Sequence, residues 1–214
     1  MTLRLLILVL IAATFFPLTN SRREEMEIQK KHNQMLYPSV SIGRSDGGHG
    51  SGVVVDADKG ITLILTAGHV VKGADLLTVV LYPDETEHSA VVVRMSQKYD
   101  LALVAIEGEH PYVAIMSDGP IPLVYQKVWK VGSGAGQDPH PGAGMITQYD
   151  GDLMMVDVGI VFGDSGGPIF IKTEEGYHLI GITIMVAALG PQSPIFHQGI
   201  AHNIETLWDF LAQT

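Results

Sequence analysis

From residue 38 onward the chain alternates short apolar runs with clusters of turn-forming residues. "PSVSIG", "SGVVVD", "ITLILT", "LLTVVLY", "SAVVVRM" and "LALVAIE" follow one another, separated by stretches such as "DADKG" and "YPDETEH". Runs of this length, rich in Val and Ile and bounded by Gly, Asp and Lys, predict strands. A polar, Pro-rich stretch over 108–125 interrupts the series, and then "KVWKVG", "GMITQY", "LMMVDVG", "PIFIKT", "HLIGITIMV" and "IFHQGIA" resume it. Six candidate strands on each side of a linker predict an all-β chain of two six-stranded antiparallel barrels, over about 37–107 and about 124–202. One helix is predicted, over 203–213. "NIETLWDFLAQT" places Ile204, Leu207, Trp208 and Leu211 on one face, with Asn203 as N-cap.

The first 36 residues follow a different pattern. "LLILVLIAATFFPLTNS" (5–21) carries no charge, and its strongly apolar part, 5–18, is short for a membrane span but suits the core of a signal peptide. The alternative is a signal anchor, a membrane tether through residues 5–21. Against it, Arg22, Arg23, Lys30 and Lys31 outnumber Arg4 on the other flank. The expectation is export to the periplasm or beyond, with residues 1–21 as signal peptide or anchor and 22–36 as a charged linker.

Charge then narrows the partners. The net charge is −10, but residues 1–31 hold five of the 13 Lys and Arg and three of the 23 Asp and Glu, leaving 8 against 20 for the rest. So acidic a domain is unsuited to phosphate backbones, which excludes nucleic acid as a partner. With no cysteine, disulfides and thiolate metal sites are excluded too.

Among the strands, "VFGDSGGPIF" (161–170) sets Asp164 and Ser165 between glycines, with apolar residues on both sides. A tight turn would explain it. So would a nucleophile, since glycines clear side chains from the Ser165 hydroxyl and leave backbone N–H groups facing it. The second reading needs a base and an acid. "ITLILTAGHVVKG" ends a buried strand at Thr66-Ala67-Gly68-His69, where small residues leave the imidazole accessible. "YDLALVAIEG" opens another with Asp100, a carboxylate that is costly to bury without a partner. Asp100 beside His69 would fix the ring's tautomer and stabilise the imidazolium. The remaining histidines lack such a setting, and no HExxH-type metal pattern occurs. "GHGSG" (48–52) and "GSGAG" (132–136) lack the following helix and acid of a nucleotide site, so both read as barrel turns. The order His, Asp, Ser is that of double-barrel proteases. An α/β-hydrolase would have Ser, acid, His.

"TAGHV", "YDLALV" and "GDSGGP" resemble the three signature segments of trypsin-like serine peptidases, and the compact spacing without cysteine resembles the HtrA/DegP-like branch. "GHGSGVVV", "LIGITI" and "HQGIAHNIETL" extend the likeness over roughly residues 38–213. The resemblance implies a serine endopeptidase acting on protein or peptide substrates through a His69–Asp100–Ser165 triad and an acyl-enzyme. Gly163, Asp164 and Ser165 would form the oxyanion hole, and neither metal nor cofactor is required. The alternative is a catalytically inactive binding module on the same scaffold. Two departures stand out: no PDZ domain follows within the 214 residues, and Asp164 replaces the Asn usual in the HtrA-like serine motif. In digestive trypsins that Asp pairs with a newly cut N-terminus, and no matching Ile-Val-Gly-Gly sequence occurs near Tyr37–Gly43.

The resemblance also places the primary specificity pocket at Gly159, Ile160 and Val161 and at Gly181, Ile182 and Thr183, with "IFHQGIA" closing the far side. No carboxylate stands in the first stretch, and Ile160 and Ile182 would narrow the pocket. The expected cleavage is after Val, Ala, Ile or Leu and not after Lys or Arg. No particular oligomeric state is implied.

Overall fold

The computed structural model describes residues 21–187 and 198–213. The expected leader, apart from Ser21, and the 195–197 portion of the last predicted strand lie outside the described residues. Among those described, no helix is long and apolar enough to cross a membrane.

Six strands, β1 (Ser39–Arg44), β2 (His49–Asp58), β3 (Ile61–Ala67), β4 (Leu77–Leu81), β5 (Thr86–Ser96) and β6 (Leu101–Glu107), close into an antiparallel barrel in the order β1-β2-β3-β6-β5-β4. The β2–β3 hairpin shows how sequence sets register. Lys59 and Gly60 both adopt positive φ, +53° and +77°, the two-residue turn whose twist matches flanking strands. Asp58 then pairs with Ile61.

Beyond it come β7 (Ile115–Met116), β8 (Lys127–Gly132), β9 (His140–Asp150), β10 (Leu153–Asp157), β11 (Pro168–Lys172), β12 (Tyr177–Ala187) and β13 (Gln198–Asn203). The order is β11-β8-β9-β10-β13-β12, closed by β11–β12 pairing, and β7 adds in parallel to the outside of β12. The two six-stranded barrels are thus present. The two-residue β7, inside the Pro-rich connection, was not predicted.

The continuous apolar runs reflect burial on both faces. Successive side chains of a strand point oppositely. Val54, Ile64 and Val104 accordingly fill the first barrel, while their neighbours Val53, Leu65 and Leu103 face a core between the barrels. The second barrel contributes Phe170, Leu179 and Ile182 to that central core and keeps Ile146, Ile169 and Ile180 inside itself. Helix α3 (Ile204–Ala212) caps the central core. Asn203 accepts its N-capping bond from the Thr206 N–H at 3.2 Å. The face it buries is Ile204, Leu207 and Phe210. Trp208, expected on that face, is 45% exposed and donates its indole N–H to the Ser117 carbonyl at 2.9 Å.

Residues 22–36, read as a linker, are helical and attached to the second barrel. A helix over 21–31 (α1) runs into a single π turn, His32–Leu36. Glu27 accepts hydrogen bonds from Lys172 and from the Tyr177 hydroxyl, and these hold its carboxyl below the usual range. Gln34 accepts from the Tyr177 N–H at 3.1 Å.

Candidate active site

The three residues singled out lie at the ends of strands that line the central core. His69 follows β3 on a single helical turn, α2 (Gly68–Val71), and Asp100 immediately precedes β6, the strand paired with β3 in the barrel. Asp100 sits in the left-handed region at φ +47°, a conformation Asp visits more readily than most residues. Its carbonyl accepts the Gly68 N–H at 2.7 Å, and a Cβ at Gly68 would press on Asp100, so only glycine allows this approach.

The carboxylate then holds His69 at two points. Oδ1 accepts the His69 backbone N–H at 2.8 Å, and Oδ2 is 2.6 Å from Nδ1 of the ring. Both side chains keep an open face, 45% and 41% exposed. With Nδ1 hydrogen-bonded to Asp100, Nε2 is the nitrogen available as a base. Arg44 braces the same turn, donating from Nη1 to the Val70 carbonyl at 3.2 Å. Its other nitrogens grip Asp46, whose carboxyl these bonds and the Gly48 N–H hold far below its usual range.

Ser165 lies opposite, in the loop between β10 and β11. Gly166 adopts φ +85°, where a Cβ would collide with the Ser51 carbonyl and the Thr66 hydroxyl, so the loop packs directly on β2 and β3. Ser51 secures it. Its N–H donates to the Ser165 carbonyl at 2.8 Å, and its hydroxyl donates to the Gly163 carbonyl at 2.7 Å. With both carbonyls turned inward, the N–H groups of Gly163 and Ser165 have no acceptor among the described residues. The Asp164 N–H, between them, is taken up by the Val161 carbonyl at 3.1 Å.

His69 and Ser165 share a cleft of about 550 Å³, which Arg44, His49, Phe162 and Gly163 also line. No hydrogen bond joins the imidazole to the serine hydroxyl. Such bonds are often long in unliganded sites and tighten when substrate closes the cleft.

None of the six residues expected to form the specificity pocket is among those lining this cleft, although Thr183 exchanges backbone hydrogen bonds with Gly166 and Gly167 of the serine loop, at 2.7 and 2.9 Å. Gly159 and Val161 reach the surface, but Ile160 is buried inside the second barrel, where a side chain at Gly199 would strike it. Gly181, Ile182 and Thr183 are buried as well, Ile182 in the central core. Besides Arg44, four residues that the sequence reading did not single out bear on the site. Ser51 anchors the loop, His49 lies against Gly163, and Phe162 stands 87% exposed at the cleft mouth. Lys130 makes a buried ion pair with Asp164. Only Ser51 had a signal, the Gly-Ser-Gly of "GHGSGVVV". Among the described residues no group of three His, Asp or Glu could hold a metal ion.

Residues 50–182 match the family described as trypsin-like peptidase domain. The chain belongs to that family. It is 31% identical over 177 residues to the serine protease Do-like HtrA of Bacillus subtilis, covering 74% of this chain and 38% of that one. A probable periplasmic serine endoprotease, DegP-like, of Halomonas elongata is 31% identical over 164 residues, covering 72% of this chain and 33% of its own. The chain thus spans between a third and two fifths of the length of these relatives. The crystal structure of a serine endoprotease from Yersinia pestis superposes with a TM-score of 0.73 at 21% identity, over 86% of this chain and 64% of that one. Rv3671c from M. tuberculosis, in an inactive mutant form, gives 0.69 at 20% identity, over 84% and 87%.

Proposed function

We propose that the chain is a serine endopeptidase. Ser165 Oγ attacks the scissile carbonyl while Nε2 of His69 takes its proton. His69 returns the proton to the leaving amine, and water then hydrolyses the acyl-enzyme by the same route in reverse. Asp100 holds the ring and stabilises the imidazolium. The N–H groups of Gly163 and Ser165 donate to the developing oxyanion, each worth about 10²–10³ in rate. The observation that carries the reading is the two-point bond from Asp100 to His69, on the rim of a cleft that the ring shares with Ser165.

A fluorophosphonate probe tests it. The wild type should label on Ser165 alone, and Ser165→Ala should not label. Equal labelling of both proteins would remove Ser165 from its role. The inactive binding module remains the second reading because no hydrogen bond joins His69 to Ser165. It predicts a folded wild type that does not label at all.

The proposed substrates are proteins or peptides cut after Val, Ala, Ile or Leu. Val161 and Phe162 expose apolar surface beside the serine loop, and the 159–163 stretch carries no acid. A Lys or Arg side chain bound there would shed water without gaining an ion pair. Profiling against a denatured protein digest should give mostly apolar residues at the cut, and a majority of basic ones would overturn this preference.

The name of the Halomonas relative and the apolar 5–18 segment both support export. N-terminal mass spectrometry of the mature protein would show whether residues 1–21 are removed.

A further inference from the structure

The sequence left the Asp164 side chain without a role, and its surroundings supply one. Its carboxylate is 1% exposed, and the lysine that meets it, Lys130 on β8, has a side chain 4% exposed, with Nζ 2.5 Å from Oδ2. Burying either charge alone would be strongly unfavourable, so each requires the other. The same Oδ2 accepts the Val161 N–H at 2.8 Å, and the Asp164 N–H closes the turn on the Val161 carbonyl. Gly132 and Gly134 wall the carboxylate so closely that a side chain at either would strike it. Oδ1, pressed into this cradle, has no hydrogen-bond partner among the described residues. Lys130 is therefore the cation that keeps the carboxylate inside. Asp164 lies between Gly163 and Ser165, the two residues proposed above to donate to the oxyanion, so a carboxylate leaving its cradle would disturb the backbone that carries both N–H groups.

We propose that Lys130 is a positioning residue for the reaction, holding the Gly163–Ser165 loop in its working shape by neutralising Asp164 from within the second barrel. The proposal rests on the peptidase reading above. Because the cation belongs to β8, the loop needs no freed chain end to balance the aspartate.

The test is a charge cycle on the full chain: Lys130→Met, Asp164→Asn and the double variant, assayed with a peptide substrate and by thermal unfolding. Without Lys130, the lone carboxylate should leave its cradle and disorganise the oxyanion donors. kcat should fall about 10²–10³-fold, as on loss of such a donor. KM should change less than about threefold, since ground-state binding does not use the hole. Asp164→Asn alone leaves Lys130 buried and unpaired and should also lose activity. The double variant removes both charges, and Asn can still accept from the Val161 N–H, so kcat should return to within about tenfold of wild type. A kcat loss in Lys130→Met that is fully folded at the assay temperature, recovered in the double, is the result a merely structural lysine would not give.

Wild-type kcat in Lys130→Met, at whatever melting temperature, would overturn the proposal. So would a folded double variant no more active than the singles. If Lys130→Met does not fold, the double variant against Asp164→Asn decides by the same criterion. A wild type inert to both substrate and fluorophosphonate would instead overturn the peptidase reading, and this inference with it.

Discussion

Ser165→Ala and His69→Ala should each lower kcat about 10⁶-fold, and the double variant should be no worse than either alone. On the proposed mechanism the reason is geometric. His69 is fixed by Asp100 on the first barrel, and Ser165 by the Ser51 contacts to the loop of the second. Neither has a use in acyl transfer without the other, because an unactivated serine is a poor nucleophile and a base without a nucleophile beside it can only activate water. What survives both deletions is the oxyanion hole and substrate binding, about 10³–10⁴ over the uncatalysed reaction. Turnover of a peptide ester by the two single variants and the double one checks this. Losses that multiply across the double variant would mean that the two side chains act separately. KM should hardly move, since neither group contributes to ground-state binding.

Much of this site could be seen in the chain before the fold was known, for a physical reason. A catalytic group at a strand end must interrupt an apolar run with a polar residue and small neighbours, and "LTAGHV" and "FGDSGGP" do so. The barrel strands were equally plain, since burial on both faces leaves unbroken apolar runs between turn clusters. The same property hid which way the residues expected around the pocket point. In "LIGITIMV" every position is apolar or small, so no period of two shows which way a side chain points. A bulge also changes the alternation: Ile169 pairs with Gly181 and Phe170 with Leu179, leaving Ile180 as the extra residue. Leu179 and Ile182 consequently share the central core while Ile180 turns into the second barrel. No local pattern announces that shift.

Lys130 was hidden differently. In "KVWKVG" a lysine reads as the solvent face of a strand, and burying it makes sense only beside a carboxylate 34 residues later, which a local reading cannot supply. Residues 22–36 were misleading for the opposite reason. Their charge suggests a solvated tether, yet Glu27 and Gln34 use their polar groups to bind the β11–β12 hairpin. β7 is only two residues of backbone pairing, too short to leave a pattern.

Asp100→Asn should lower kcat about 10⁴-fold with little change in KM or melting temperature. In the wild type both carboxylate oxygens accept, Oδ1 from the His69 backbone N–H and Oδ2 from the ring. Asparagine has one oxygen and one NH₂ for those two donors. If its oxygen stays on the backbone N–H, the NH₂ faces Nδ1 and can donate only to an unprotonated nitrogen. The ring proton then moves to Nε2, the atom that accepts from Ser165 in the proposed mechanism. The base is lost while every heavy atom keeps its place. If the amide turns over, the NH₂ opposes the backbone N–H and the turn carrying His69 loses one of its two anchors. The first arrangement keeps the backbone bond and should prevail. With Asp100 41% exposed and water able to satisfy what is left over, the fold should tolerate the change. Steady-state kinetics beside a melting curve would decide. A variant that melts like the wild type yet keeps kcat within tenfold of it would show that Asp100 does not set the tautomer of His69.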